Sequence, residues 1–163
     1  MATAHTNLSE YDKELIPNAS EMSFGIVVSE WNANITDNLL KGAYKALIDN
    51  GVLPANIIVK HTPGAYELPL AAQLLIENTK VDGVVAIGSV IQGETKHFDY
   101  VCEAVSQGIK DVNLKYGKPV TFCVLTDSTM QQGIDRSGGK HGNKGIECAV
   151  AVIKMVALKK SLS

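Results

Sequence analysis

The sequence predicts an α/β domain built as a three-layer sandwich, a four-stranded parallel sheet with helices on both faces. Short runs of Val, Ile and other apolar residues alternate along the chain with segments of helical periodicity. The strand runs are apolar nearly throughout rather than alternating, which is the pattern of strands covered on both faces. The connections are short, as right-handed β–α–β crossovers allow. A chain of 163 residues forms one domain with a sizeable core.

Residues 1–21 are polar and mixed, without sustained periodicity, and read as an arm that is disordered or ordered only against another surface. Residues 22–163 read as a single catalytic domain. The first strand covers residues 23–29 (SFGIVVS). After the connection 30–34, Ile35, Leu39, Ala43 and Leu47 keep helical spacing up to the Asn50-Gly51 stop. Residues 54–61 (PANIIVKH) give the second strand. Pro69 is tolerable only near a first turn, so the next helix starts near Tyr66. The third strand runs over 81–87 and is followed by a small-residue loop containing Gly88, Ser89 and Gly93. A helix opens at His97, with Phe98, Cys102, Val105, Ile109 and Val112 on one face. The fourth strand covers 120–125, a short helix runs from about 128 to 137, and a Gly- and Lys-rich turn (138–145) leads to the last helix. Four strands in this arrangement suit a compact flavodoxin-like order.

Composition excludes several classes. Hydrophobic content of 45%, charged content of 20% and a net charge of −2 are those of an ordinary globular protein, with no basic stripe for nucleic acid. No apolar run approaches the ~20 residues that span a bilayer. The N-terminal stretch MATAHTNLSEYDKELIP lacks the apolar core of a secretory signal. Cys102, Cys123 and Cys148 are far apart in apolar-periodic segments and read as reduced, buried residues rather than zinc ligands. A cytoplasmic location is expected.

Open α/β sheets bind ligands beyond the carboxyl ends of their strands, and the unusual residues gather there. Trp31 and Asn32 follow the first strand, and Trp31 suits a platform for a flat heteroaromatic ring. Tyr66 and Glu67 follow the second, where a carboxylate and first-turn N–H groups suit a ligand with both donors and acceptors. After the third, Gly93, Glu94 and Thr95 offer N–H groups and a hydroxyl to an anion at a helix N-terminus, with Glu94 pointing away. His97 beside them is the strongest candidate for proton transfer, because imidazole titrates near neutrality. His61 and His141 are weaker candidates. Arg136 and Lys144 flank the Gly-rich turn, and arginine suits bidentate phosphate binding. A flavin- or nucleotide-binding protein of the same fold is the competing reading, but it leaves His97, Glu67 and Arg136 without a task.

Three segments, PGAYELP (63–69), GSVIQGETKHFDYVC (88–102) and DRSGGKHGNKGIECA (135–149), resemble the lumazine synthases in order and spacing. The resemblance covers about residues 24–158. It implies the penultimate step of riboflavin biosynthesis, in which a ribitylamino-substituted aminouracil condenses with 3,4-dihydroxy-2-butanone 4-phosphate, without metal or organic cofactor. It implies Trp31 stacking on the pyrimidine with Asn32 beside it, and Ala65, Tyr66 and Glu67 along the ribityl chain. Val90 and Ile91 would contact the pyrimidine edge through their backbones. Gly93, Glu94 and Thr95 would form the phosphate loop, with His97 as the proton-transfer residue. Phe122, Arg136 and Lys144 would come from an adjacent subunit, with Arg136 on the phosphate. Gln92 stands where many members carry arginine, and Trp31 where some carry phenylalanine.

The same resemblance implies pentamers with active sites between neighbours, and in many members hollow shells of twelve pentamers. The short turn at 138–145 favours a shell, the N-terminal arm would pair with a neighbouring subunit's sheet, and association with riboflavin synthase is expected. Two small-molecule substrates and further copies of the chain are the expected partners, with no nucleic acid and no membrane.

Overall fold

A computed structural model describes residues 7–162; the first six residues of the arm, His5 among them, and Ser163 lie outside the described residues. The apolar runs form four parallel strands, β1 (Phe24–Ser29), β2 (Ile57–Thr62), β3 (Gly83–Ile91) and β4 (Val120–Asp127), in the order β2-β1-β3-β4. Between them run α1 (Ala33–Asp49), α2 (Leu68–Asn78) and α3 (His97–Tyr116); α4 (Met130–Arg136) and α5 (Lys144–Ser161) complete the chain. This is the expected flavodoxin-like α/β sandwich.

Side chains alternate across each strand, so the sheet feeds two cores. Phe24, Ile26, Val28, Val85 and Ile87 pack with Leu39, Ala43 and Leu47 of α1 and with Ala149, Val152 and Ile153 of α5. Val27, Val84, Ala86 and Val124 pack on the other face with Leu68, Ala72 and Leu75 of α2 and Val105, Ile109 and Val112 of α3. Strand β1 is buried along its whole length, which accounts for its unbroken apolar sequence. Cys123 and Cys148 are buried, Cys102 is half-buried, and all three are free thiols. A hydrogen bond between its thiol and Cys148, together with burial, pushes Cys123 well above its ordinary range, so it behaves as a small apolar group.

Four local expectations are corrected. Gly88 and Ser89 lie not in a loop but in β3, whose ladder with β4 continues to Ile91 opposite Asp127. Their small size makes room for a neighbour rather than for a bend: a Cβ at Gly88 would sit 3.3 Å from Ala65 Cβ and 3.0 Å from Leu68 Cδ1. Pro54–Asn56 form a 3₁₀ turn before β2 instead of its first residues, since proline has no N–H for a ladder. The short helix starts at Met130 because the Thr129 side chain accepts from the Gln132 N–H and caps it. The Gly- and Lys-rich turn contains an antiparallel hairpin, β5 (Ser137–Gly139) and β6 (Gly142–Asn143), with Gly138 and Gly142 at positive φ.

Over residues 7–19 the surface that orders the arm is this chain's own. The Leu8 N–H donates to the His141 carbonyl at 2.8 Å and the Asn143 N–H to Ser9 Oγ at 2.9 Å. Ala19 is fully buried, and its N–H donates to the Asn50 carbonyl.

Asn143 caps α5 by accepting from the Gly145 N–H at 2.8 Å, while its Nδ2 donates to the Asn38 carbonyl of α1 at 2.8 Å. Asn143→Ala removes both bonds and is expected to lower unfolding stability by roughly 1–2 kcal/mol, read from the urea midpoint. An unchanged midpoint would show that water replaces the cap without loss.

Candidate active site

The carboxyl ends of β1, β2 and β3 hold one group of the expected residues. Trp31 is 72% exposed beyond β1. Beside it Asn32 adopts a left-handed conformation, φ 59°, the one such non-glycine residue among those described. Asparagine tolerates that region, but a side chain held there is an uncommon and constrained arrangement. The Asn32 amide explains it: Nδ2 donates to the Ser89 carbonyl at 3.0 Å and approaches Ser89 Oγ at 3.4 Å. The β1–α1 connection is thereby tied to β3, and Trp31 is carried on an anchored turn. The sequence gives no sign of the Ser89 anchor, because a serine in this setting reads as a turn residue.

After β2 the chain makes a 3₁₀ turn, Ala65–Glu67, that runs into α2. Thr62 Oγ1 donates to the Gly64 carbonyl at 3.0 Å, and Glu67 Oε2 accepts from the Gly64 N–H at 3.0 Å. One carboxylate oxygen of Glu67 is therefore used to close the turn. Ala65 is buried against the sheet and Tyr66 is exposed. Val90 and Ile91 end β3, half-buried.

Beyond β3 the Gln92 N–H donates to the Asp127 carbonyl at 2.9 Å, which holds the following loop beside the end of β4. Gly93, Glu94 and Thr95 are exposed in that loop. Among the described residues, chain neighbours aside, nothing lies within 4 Å of a Cβ placed on Gly93, and its φ is not positive. Neither a positive φ nor packing within the described residues calls for glycine there. Thr95 Oγ1 accepts from the His97 N–H at 3.4 Å, and His97 is the first residue of α3, with its side chain exposed.

Phe122, Arg136 and Lys144 are brought together elsewhere. They line a groove of about 1200 Å³ along the open edge of β4, with Asp127, Gln132 and the arm residues Leu8 and Tyr11. Trp31, Tyr66, Glu67, Gly93 and His97 do not border it. The Arg136 Nη1 donates to the Gln132 carbonyl at 3.0 Å. Lys144 pairs with Glu147 at 2.8 Å. Burial pulls against the Lys144 charge, but the Glu147 hydrogen bond and carboxylate outweigh it and hold the ammonium above its ordinary range. Among the described residues no group of three or more His, Cys, Asp or Glu is arranged to hold a metal ion, and no described helix is long and apolar enough to cross a membrane.

An open parallel sheet in the order β2-β1-β3-β4, with Trp31, Glu67, Gly93 and His97 beyond its strand ends, places the chain in the flavodoxin-like α/β class. A family profile described as 6,7-dimethyl-8-ribityllumazine synthase matches residues 21–160. Proteins of that name are similar over nearly the whole chain. One from Flavobacterium johnsoniae is 58% identical, covering 100% of this chain and 86% of its own length. One from Christiangramia forsetii is 55% identical, covering 98% and 96%, and one from Parabacteroides distasonis is 55% identical, covering 96% and 98%. The chain belongs to the 6,7-dimethyl-8-ribityllumazine synthase family.

Proposed function

We propose that this chain is a transferase of riboflavin biosynthesis that condenses 5-amino-6-(D-ribitylamino)uracil with 3,4-dihydroxy-2-butanone 4-phosphate. The products are 6,7-dimethyl-8-ribityllumazine, inorganic phosphate and water. The observation that carries the reading, beside family membership, is the division of the expected site residues into two separate groups on one protomer. Trp31, Glu67, Gly93 and His97 belong to one half, and Phe122, Arg136 and Lys144 to the other. A surface split in this way completes a site when the β4 edge of one copy meets the strand ends of the next.

In such a site Trp31 stacks on the pyrimidine, and Asn32, Val90 and Ile91 frame its edge. Ala65, Tyr66 and Glu67 run along the ribityl chain. Phe122 from the neighbour closes the ring pocket, with Lys144 beside it. The phosphoryl group lies on Gly93, Glu94 and Thr95 at the start of α3, where free N–H groups and the helix dipole favour an anion. The neighbour's Arg136 completes that pocket. Amine attack on the ketone gives a carbinolamine, loss of water gives an imine, and elimination of phosphate and ring closure follow. Each step moves protons, so one imidazole at His97 serves repeatedly, while positioning supplies much of the rate. Contacts to the phosphoryl group also stabilise it as it departs. No metal or organic cofactor enters this scheme.

Assembly into pentamers follows from the same reading, with the compact segment at 138–145 suiting a shell of twelve pentamers that associates with riboflavin synthase. The N-terminal arm would pair with a neighbouring subunit's sheet. Three free thiols suit the reducing cytoplasm. Light scattering on the purified protein separates pentamer from shell.

Mixing the two substrates with the protein and following lumazine fluorescence tests the reaction; a protein that holds a flavin but turns over neither substrate would overturn the reading. Arg136→Ala is expected to raise the KM for the ketose phosphate about tenfold or more, with a smaller change in the KM for the pyrimidine, because a charge-assisted bidentate contact is lost.

A further inference from the structure

Asp127 ends β4 with its carboxyl group turned inward. The residue is 6% exposed, and Oδ2 has no hydrogen-bond partner among the described residues. A carboxylate in that position carries a desolvation cost that no hydrogen bond to Oδ2 offsets among the described residues. Burial raises the carboxyl above its ordinary range, while the positive charge of Arg136 draws it back down. The two charges therefore act on one another, and both border the groove on the β4 edge.

They do not form an ion pair; among the described residues no salt bridge joins them. The guanidinium is held by the Gln132 carbonyl, within its own helix. Lys144 in the same groove is already engaged by Glu147. Asp127 thus does not orient Arg136. What it adds to the groove is a negative field, not closed into an ion pair, at the cation read as meeting the phosphoryl group, and a carboxylate repels a dianion more strongly than a monoanion.

We propose that Asp127 sets the affinity of the phosphate pocket by weakening it, so that the dianion released in the reaction leaves readily. The inference rests on reading Arg136 as the phosphate-binding cation. An acid kept buried and unpaired at that spot is costly for the fold, and lowered product retention is the return its chemistry offers.

Asp127→Asn keeps the size of the side chain and removes its charge. With inorganic phosphate as a competitive inhibitor of the assembled protein, the inhibition constant is expected to fall by roughly three- to tenfold. The KM for the ketose phosphate should fall in parallel, and the KM for the pyrimidine should not move. Asp127→Glu, which retains the charge, should bind phosphate as the unchanged protein does. Asp127→Ser, neutral and smaller, gives the same measurement with the same expected gain if the asparagine protein does not assemble. Phosphate binding that is unchanged or weaker in the neutral variants overturns the proposal. If Arg136→Ala leaves phosphate inhibition unaltered, the assignment of Arg136 has failed; if that variant loses phosphate and the neutral Asp127 variants gain none, only the role of Asp127 has failed.

Discussion

Replacing His97 by alanine is expected to lower kcat at least about a hundredfold, with the KM for the ketose phosphate within about twofold of its starting value. The separation follows from where the groups sit. The His97 N–H turns back to Thr95 Oγ1, and in the proposed site the anion is held by the backbone of the preceding loop and by Arg136. The imidazole itself is exposed at the first position of α3. Truncating it removes a proton carrier without opening a cavity or deleting a phosphate contact, so melting temperature and assembly size should not change. Single-turnover rates and a phosphate inhibition constant measured side by side distinguish the outcomes. A variant that keeps kcat within about threefold removes His97 from the mechanism. One that loses phosphate affinity in proportion to rate makes it a binding residue instead. With Arg136→Ala as the counterpart, one substitution should act on rate and the other on affinity.

The sheet was legible because burial on both faces writes itself into sequence. Strand β1 is six buried residues, and the helical spacing of Leu39, Ala43 and Leu47 marks the face that covers it. The loops holding Trp31, Glu67, Gly93 and His97 were legible because such residues stand out just after apolar runs. What was hidden depends on contacts made by distant parts of the chain. Gly88 and Ser89 have the composition of a turn, yet they continue β3, because Ala65 and Leu68 come down on one and Asn32 binds the other. No local propensity carries that information. The hairpin at 137–143 was masked for the same reason, since its glycines read equally well as an irregular turn. Asp127 stands out in the sequence only as a residue that follows the fourth strand; its burial is not legible there, because it arises only when α4 folds across it. Phe122 entered through family resemblance alone, and its common groove with Arg136 and Lys144 emerges from the packing of α5 on the β4 edge.

Gly145→Ala is expected to cost about 3 kcal/mol, which for a domain of this size lowers the melting temperature by roughly 10 °C. Helices α1 and α5 pack closely over one face of the sheet, and Gly145 sits at their point of nearest approach. A Cβ there would lie 2.0 Å from the Leu39 carbonyl oxygen and 2.9 Å from Asn143 Oδ1. The first is a backbone atom of a buried helix turn and cannot rotate away, so the two helices must separate. Separation thins the contacts of Leu39, Ala149 and Ile153 beneath them and pulls the Asn143 side chain off the Gly145 N–H or the Asn38 carbonyl. Gly93→Ala provides the comparison within one protein. It meets nothing within 4 Å and should leave the melting temperature unchanged at equal protein concentration, while its effect, if the loop cradles phosphate, falls on the KM for the ketose phosphate. One glycine is then required by the fold and the other by the ligand. Equal melting temperatures for both variants would mean that α1 and α5 can slide apart at little cost.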